Sequence, residues 1–121
     1  MGDRRFPSLC RAGDIERVQA ALDSGTDVNE EGSFGQTGLM LALASSQNNV
    51  VQLLLNHPDI DINKVNCDGS SALHFWAVGV DNHEGMAALL ARQDLTTINQ
   101  RTYDSRTPIM EAVSHLSLIH I

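Results

Sequence analysis

The stretch Asp61-Ile62-Asn63-Lys64-Val65-Asn66-Cys67-Asp68-Gly69-Ser70-Ser71-Ala72-Leu73-His74 decides the fold, because its outline recurs on both sides of it. Asp27-Val28-Asn29 places an asparagine 34 residues before Asn63, and Ile98-Asn99 places another 36 residues after it. Eight positions beyond each asparagine stands a hydroxyl residue, Thr37, Ser71 or Thr107, with the same two spacings. Two independent landmarks advancing together at a period in the mid-thirties define an internal repeat.

Each hydroxyl residue opens a helix-like run. In Thr107-Pro108 the hydroxyl accepts an orphan backbone N–H, and proline at the first helical position has none to lose. Leu39, Ala42 and Leu43 then mark one apolar stripe, as do Leu73 and Ala77, and Ile109, Ala112 and Val113. Second helices follow: Ile15, Val18 and Leu22 in the first unit, Val50, Val51, Leu54 and Leu55 in the next, Met86, Leu89 and Leu90 in the third. Such narrow stripes cannot close a core alone, so neighbouring units must stack into a solenoid.

Gly38-Leu39-Met40, Ala72-Leu73-His74 and Pro108-Ile109-Met110, each following its Thr or Ser, resemble the Thr-Pro-Leu-His opening of an ankyrin repeat. Asp27-Val28-Asn29 and Asp61-Ile62-Asn63 resemble that family's hairpin motif. The resemblance implies an all-α ankyrin-repeat solenoid of helix-turn-helix units with β-hairpin fingers. In this register repeat 1 covers about residues 4–36, repeat 2 residues 37–70 and repeat 3 residues 71–106, with a truncated repeat 4 at 107–115. Unit one lacks the Thr-Pro-Leu opening, as terminal capping units do. Gly38 stands where the family has proline, Ser46 where it has glycine, and Trp76 where it has a small alanine; the first two are expected to weaken unit two locally. Trp76 either fills core space or turns outward to join Phe75.

Residues 116–121, Leu-Ser-Leu-Ile-His-Ile, are what CTG TCT CTT ATA CAC ATC encodes. That resembles the end sequence of a transposase-based sequencing adaptor, so the segment is read as adaptor translation and set aside; the alternative is an amphipathic tail. The natural sequence is expected to continue beyond His115.

Eight basic residues against fifteen acidic give a net charge of −7, which disfavours a nucleic-acid phosphate backbone as partner. No apolar run approaches the roughly 18 residues of a membrane helix, so no membrane insertion is expected. The start Met1-Gly2-Asp3-Arg4-Arg5-Phe6 has no apolar signal core and no myristoylation pattern. Cys10 and Cys67 fall in different units and no CxxC pattern, so they read as reduced thiols of an intracellular protein, cytoplasmic or nuclear.

No nucleophile elbow, phosphate-cradling loop or zinc spacing occurs, so catalytic residues, a metal, a cofactor and an obligate small molecule are not expected. His74 stands at the family's helix-opening histidine, which implies a hydrogen bond to backbone in the adjacent turn. A third reading places a metal or small-molecule site around Cys67, His74 and Trp76. The hairpin asparagines are expected to fix their turns through side-chain to backbone bonds. The family resemblance also implies hydroxylation at Asn63, which has Leu55 eight residues earlier and Asp61 two residues earlier; Asn29 has Ala21 in place of that leucine, and Asn99 has Thr97 in place of that acid.

The resemblance implies function on the exposed faces: a protein-binding module, part of a larger intracellular scaffold or adaptor, with another protein or peptide as partner. The alternative is a substrate-recruiting or regulatory array of an enzyme, a ubiquitin ligase or kinase. By register the fingertips hold Glu30, Glu31 and Phe34, then Lys64, Val65 and Asn66, then Gln100, Arg101 and Tyr103. The groove face is expected to carry Leu41, Ser45, Phe75, Val78 and Glu111. Among these, Phe34, Phe75 and Tyr103 are the expected anchors, since interfaces favour aromatic residues.

Overall fold

The computed structural model describes residues 6–78, 83–96, 100–102 and 105–107. Helical hairpins follow one another along the chain. Helices α1 (Phe6–Ala12) and α2 (Ile15–Asp23) form the first, α3 (Gly38–Ala44) and α4 (Asn48–Leu55) the second, and α5 (Ala72–Val78) and α6 (His83–Leu90) the third. Between hairpins the chain projects as fingers. Among the described residues these are closed by two isolated antiparallel bridges, Glu31 to Thr37 and Val65 to Ser71. First helices stack in one row, α1 on α3 and α3 on α5, and second helices more sparsely in another, α2 on α4 and α4 on α6. The solenoid read from the sequence is therefore the observed architecture, and among the described residues no helix is long and apolar enough to cross a membrane.

The core runs lengthwise through the stack. Leu39, Ala42 and Leu43 of α3, Val50, Val51 and Leu54 of α4, and Leu73 of α5 are buried in one cluster with Val18 and Leu89. Val28 and Ile62, the β-branched residues before the hairpin asparagines, are buried in it too. Two expected stripe residues differ. Ile15 remains 38% exposed and Leu90 48%, because Val18 and Leu89 take the fully buried positions on α2 and α6. Trp76 lies half-buried against the cluster, the core-filling alternative. The expected stripe Ile109, Ala112 and Val113, like all of residues 108–121, lies outside the described residues.

Helix starts are built as the sequence suggested. Thr37 Oγ1 accepts from Met40 N at 3.3 Å, while Thr37 N donates to Met40 Sδ at 3.4 Å. One unit later His74 takes the place of Met40. Ser71 N donates to His74 Nδ1 at 3.0 Å, so the ring proton belongs on Nε2, which donates to the Arg106 carbonyl at 3.0 Å. His74 thereby ties α5 to the end of the following finger.

Gly38 has a structural reason. A Cβ there would sit 2.6 Å from Cys10 Sγ and 3.2 Å from Phe6 Cε2. Its missing side chain admits α1 against α3, so the departure from proline belongs to an interlocked packing rather than to a local weakness. Ser46 differs: it holds φ +56, a left-handed conformation that glycine adopts without a Cβ clash, as Gly13 does at φ +74 in the preceding hairpin.

Side chains also sew successive units together. Asn29 Nδ2 donates to the Asp59 carbonyl and its Oδ1 accepts from Asp61 N, both at 2.8 Å. Asn63 repeats this one unit on, with the Asp94 carbonyl at 2.6 Å and Thr96 N at 2.7 Å. The asparagine bonds do reach backbone, but in the next unit; the local turns are held by Asp27 and Asp61, whose carboxylates accept from Asn29 N and Asn63 N. At the opposite edge, Gln47 Nε2 caps the Arg11 carbonyl at 3.2 Å. On the finger side, Arg92 Nη1 reaches the Leu55 carbonyl at 2.6 Å.

Candidate partner-binding surface

Fingertip geometry starts from the residue available to cap each turn. In the second finger Asn66 Oδ1 accepts from Asp68 N at 3.0 Å and Ser70 N at 2.9 Å, and Asn66 N donates to the Ser70 carbonyl. That use turns Asn66 inward. It is only 8% exposed, which corrects its expected place on the tip: the side chain is spent on its own hairpin.

In the first finger the equivalent position is Gly32, which has no side chain to cap anything. Gly32 N still pairs with the Gln36 carbonyl, but the tip Ser33–Gly35 closes with Phe34 at φ +60, ψ +20 and Gly35 at φ +72. These are the left-handed values of a type I′ turn, which suits Asn-Gly and strains a bulky residue by about 1–2 kcal/mol. Phe34 is nevertheless there, 72% exposed. Its carbonyl accepts from Cys67 N at 2.9 Å, pinning the first tip to the second finger.

Charges on the fingers are partly committed to structure. Glu30 Oε2 accepts from Phe6 N at 3.0 Å. Glu31 pairs with Lys64 across fingers at 3.0 Å, and that hydrogen bond raises the Lys64 pKa above its ordinary value. Such an exposed pair contributes about 0–1 kcal/mol. Val65 stays exposed at the second tip, with Cys67 and Asp68 beside it. Arg101 is exposed on the third finger and Gln100 half-buried. The register did not put Cys67 or Asp68 at the fingertip, although projecting Phe34 forward by one repeat lands on Asp68.

On the first-helix face, Leu41 and Phe75 are half-buried and Ser45 is exposed. Leu41 and Phe75 are 34 positions apart, so they occupy equivalent places in successive units. Tyr103, Glu111 and the side chain of Val78 lie outside the described residues.

Chemistry at the remaining candidates is constrained by burial and bonding. Both ring nitrogens of His74 are used by Ser71 and Arg106, which leaves none to face Cys67 or Trp76 as a ligand. Cys10 is buried, and that burial pushes its thiol up to about 12. Among the described residues no three His, Cys, Asp or Glu side chains gather as a metal site would require.

A family model described as ankyrin repeats, in three copies, matches residues 8–99. The chain belongs to the ankyrin-repeat family. Among curated ankyrin-repeat relatives, Rabankyrin-5 of Homo sapiens is 32% identical over 78 residues, 64% of this chain and 7% of that protein. Rabankyrin-5 of Mus musculus is 28% identical over 78 residues, again 64% of this chain and 7% of the relative. The chain thus spans a small part of the length of these curated relatives. Ankyrin repeats are protein-interaction modules, and this array is built as one.

Proposed function

We propose that this chain is an intracellular protein-recognition segment of a larger scaffold or adaptor, using its fingertips and first-helix face. The repeats are assigned to about residues 4–36, 37–70 and 71–106, a fourth opens at 107, and 116–121 are left out of the fold. The observation that carries the reading is the division of labour among side chains. Asn29, Asn63, Asn66, His74 and Glu30 are engaged in holding the frame, whereas Phe34 and Val65 are displayed from it. Large exposed aromatics on a rigid support are the usual anchors of a protein interface. The short match to much longer relatives supports an array carried within a longer polypeptide.

The test is proximity labelling in cells with the wild-type chain, a fingertip variant (Phe34→Ser with Val65→Ser) and a face variant (Leu41→Glu). A set of neighbours lost in one variant, with unchanged circular dichroism, supports the reading. Identical neighbours for all three overturn it. Sequencing the transcript through the codon for His115 then separates a scaffold from a recruiting array attached to an enzyme.

Asn63 is proposed as the hydroxylation site. Its amide makes both cross-unit bonds, so a hydroxylase must first lift the second hairpin from the third unit. Mass spectrometry of the peptide containing Asn63 should show one added oxygen; an unmodified peptide after co-expression with an asparaginyl hydroxylase removes the idea.

A further inference from the structure

We propose that the tips of the first two fingers form an arginine-recognition site, with the Phe34 ring supplying a stacking face and the Asp68 carboxylate a charged fork. This deepens the protein-recognition reading and rests on it: the occupant is an extended segment of the partner that carries an exposed arginine.

Phe34 is 72% exposed, and its backbone is fixed at φ +60 by a closed turn, Gln36 N to the Ser33 carbonyl at 3.2 Å and Gly35 N to the Gly32 carbonyl at 3.2 Å. The bond from Cys67 N to the Phe34 carbonyl brings this tip against the second finger, where Asp68 follows Cys67. Asp68 occupies the register position of Phe34 one repeat later, and its own N–H is held by Asn66 Oδ1. Phe34 and Asp68 thus stand on two braced turns joined through Cys67, whose thiol lies 3.9 Å from Asp68 Oδ1.

Charge selects the occupant. Glu30 and Glu31 are committed to Phe6 N and Lys64, and Lys64 is itself held by Glu31. Asp68 is exposed, and among the described residues no cation lies within ion-pair distance of it. A chain of net charge −7 attracts a basic segment at long range. A guanidinium meets both groups, since it is planar, stacks on an aromatic face and forks to a carboxylate. An ammonium supplies charge without the plane, and an aliphatic side chain supplies neither.

The experiment titrates the isotope-labelled full chain with blocked Gly-Gly-Arg-Gly-Gly and its lysine and citrulline counterparts, reading backbone amide shifts by NMR. Saturating shifts at Gly35, Cys67 and Asp68 are expected with the arginine peptide. The lysine peptide, and the arginine peptide on Phe34→Leu or Asp68→Asn, should bind roughly two- to fivefold more weakly; citrulline should lose most of the response. Equal binding of arginine and lysine, undiminished affinity of the arginine peptide for Phe34→Leu, or no shift at these amides overturns the proposal. Shifts confined to the Leu41 and Phe75 face also overturn it, while leaving the recognition module standing.

Discussion

Replacing Gly38 by alanine should destabilise the protein even though alanine is the better helix former. The exchange favours the helix by up to about 1 kcal/mol through backbone entropy. Against this, the new Cβ would lie 2.6 Å from Cys10 Sγ, with Phe6 Cε2 at 3.2 Å. Phe6 and Cys10 are both buried in the core cluster and cannot simply swing away. Overpacking of this kind costs about 1–3 kcal/mol, so Gly38→Ala should lose about 1–2 kcal/mol net. Cys10→Ala alone leaves a small cavity and should cost about 1–2 kcal/mol. Combining them removes the sulfur from the clash, so in the Cys10→Ala background the Gly38 substitution should be neutral or slightly stabilising. Urea unfolding of the four proteins, followed by far-UV circular dichroism, yields the coupling directly. The expected value is about 1–2 kcal/mol, and additivity within about 0.5 kcal/mol would refute the claim that Gly38 exists to admit Cys10.

Ser46→Gly should raise stability by about 1 kcal/mol, seen as a higher urea midpoint, because the residue already holds φ +56. Asn63→Ala should cost about 1–3 kcal/mol and speed amide hydrogen exchange at Thr96, whose N–H loses its acceptor. His74→Ala should cost about 2–4 kcal/mol by melting, since it opens a cavity and removes the ties to Ser71 and Arg106. For the thiols, a maleimide reagent at neutral pH should label Cys67 in the folded protein and spare Cys10, with both labelled in urea. The buried Cys10 pKa lies above its ordinary 9.0, at about 12, so its contribution to stability is intact below pH 9 and declines as the pH rises from 9 towards 12; wild type should lose more stability over that window than Cys10→Ala does.

Much of the fold was legible because the information is local. A hydroxyl at the helix start, a β-branched residue before asparagine and apolar spacing on each helix are set within a few residues, and repetition supplied the check. What escaped was set by partners a whole repeat away. Nothing adjacent to Asn29 or Asn63 announces that their amides bond Asp59, Asp61, Asp94 and Thr96. Gly38 looked weak because Phe6 and Cys10, which need its empty Cβ, belong to another helix. Asn66 was assigned to the tip by position, whereas its carbonyl oxygen serves two backbone donors of its own hairpin. The exposed Phe34 was foreseen, but its left-handed backbone follows from a missing cap two residues earlier at Gly32.

Asn29, Asn63 and Arg92 tie successive units near the finger bases, and Gln47 ties the first two at the helical turns as well. A stack fastened along one edge can fan open along the other, whereas one fastened along both resists bending. The distance from one fingertip to the next therefore behaves as a graduated ruler. A segment laid across it must present its side chains at that pitch, so one inserted or deleted residue between two contact points should cost recognition as surely as changing the contacts themselves.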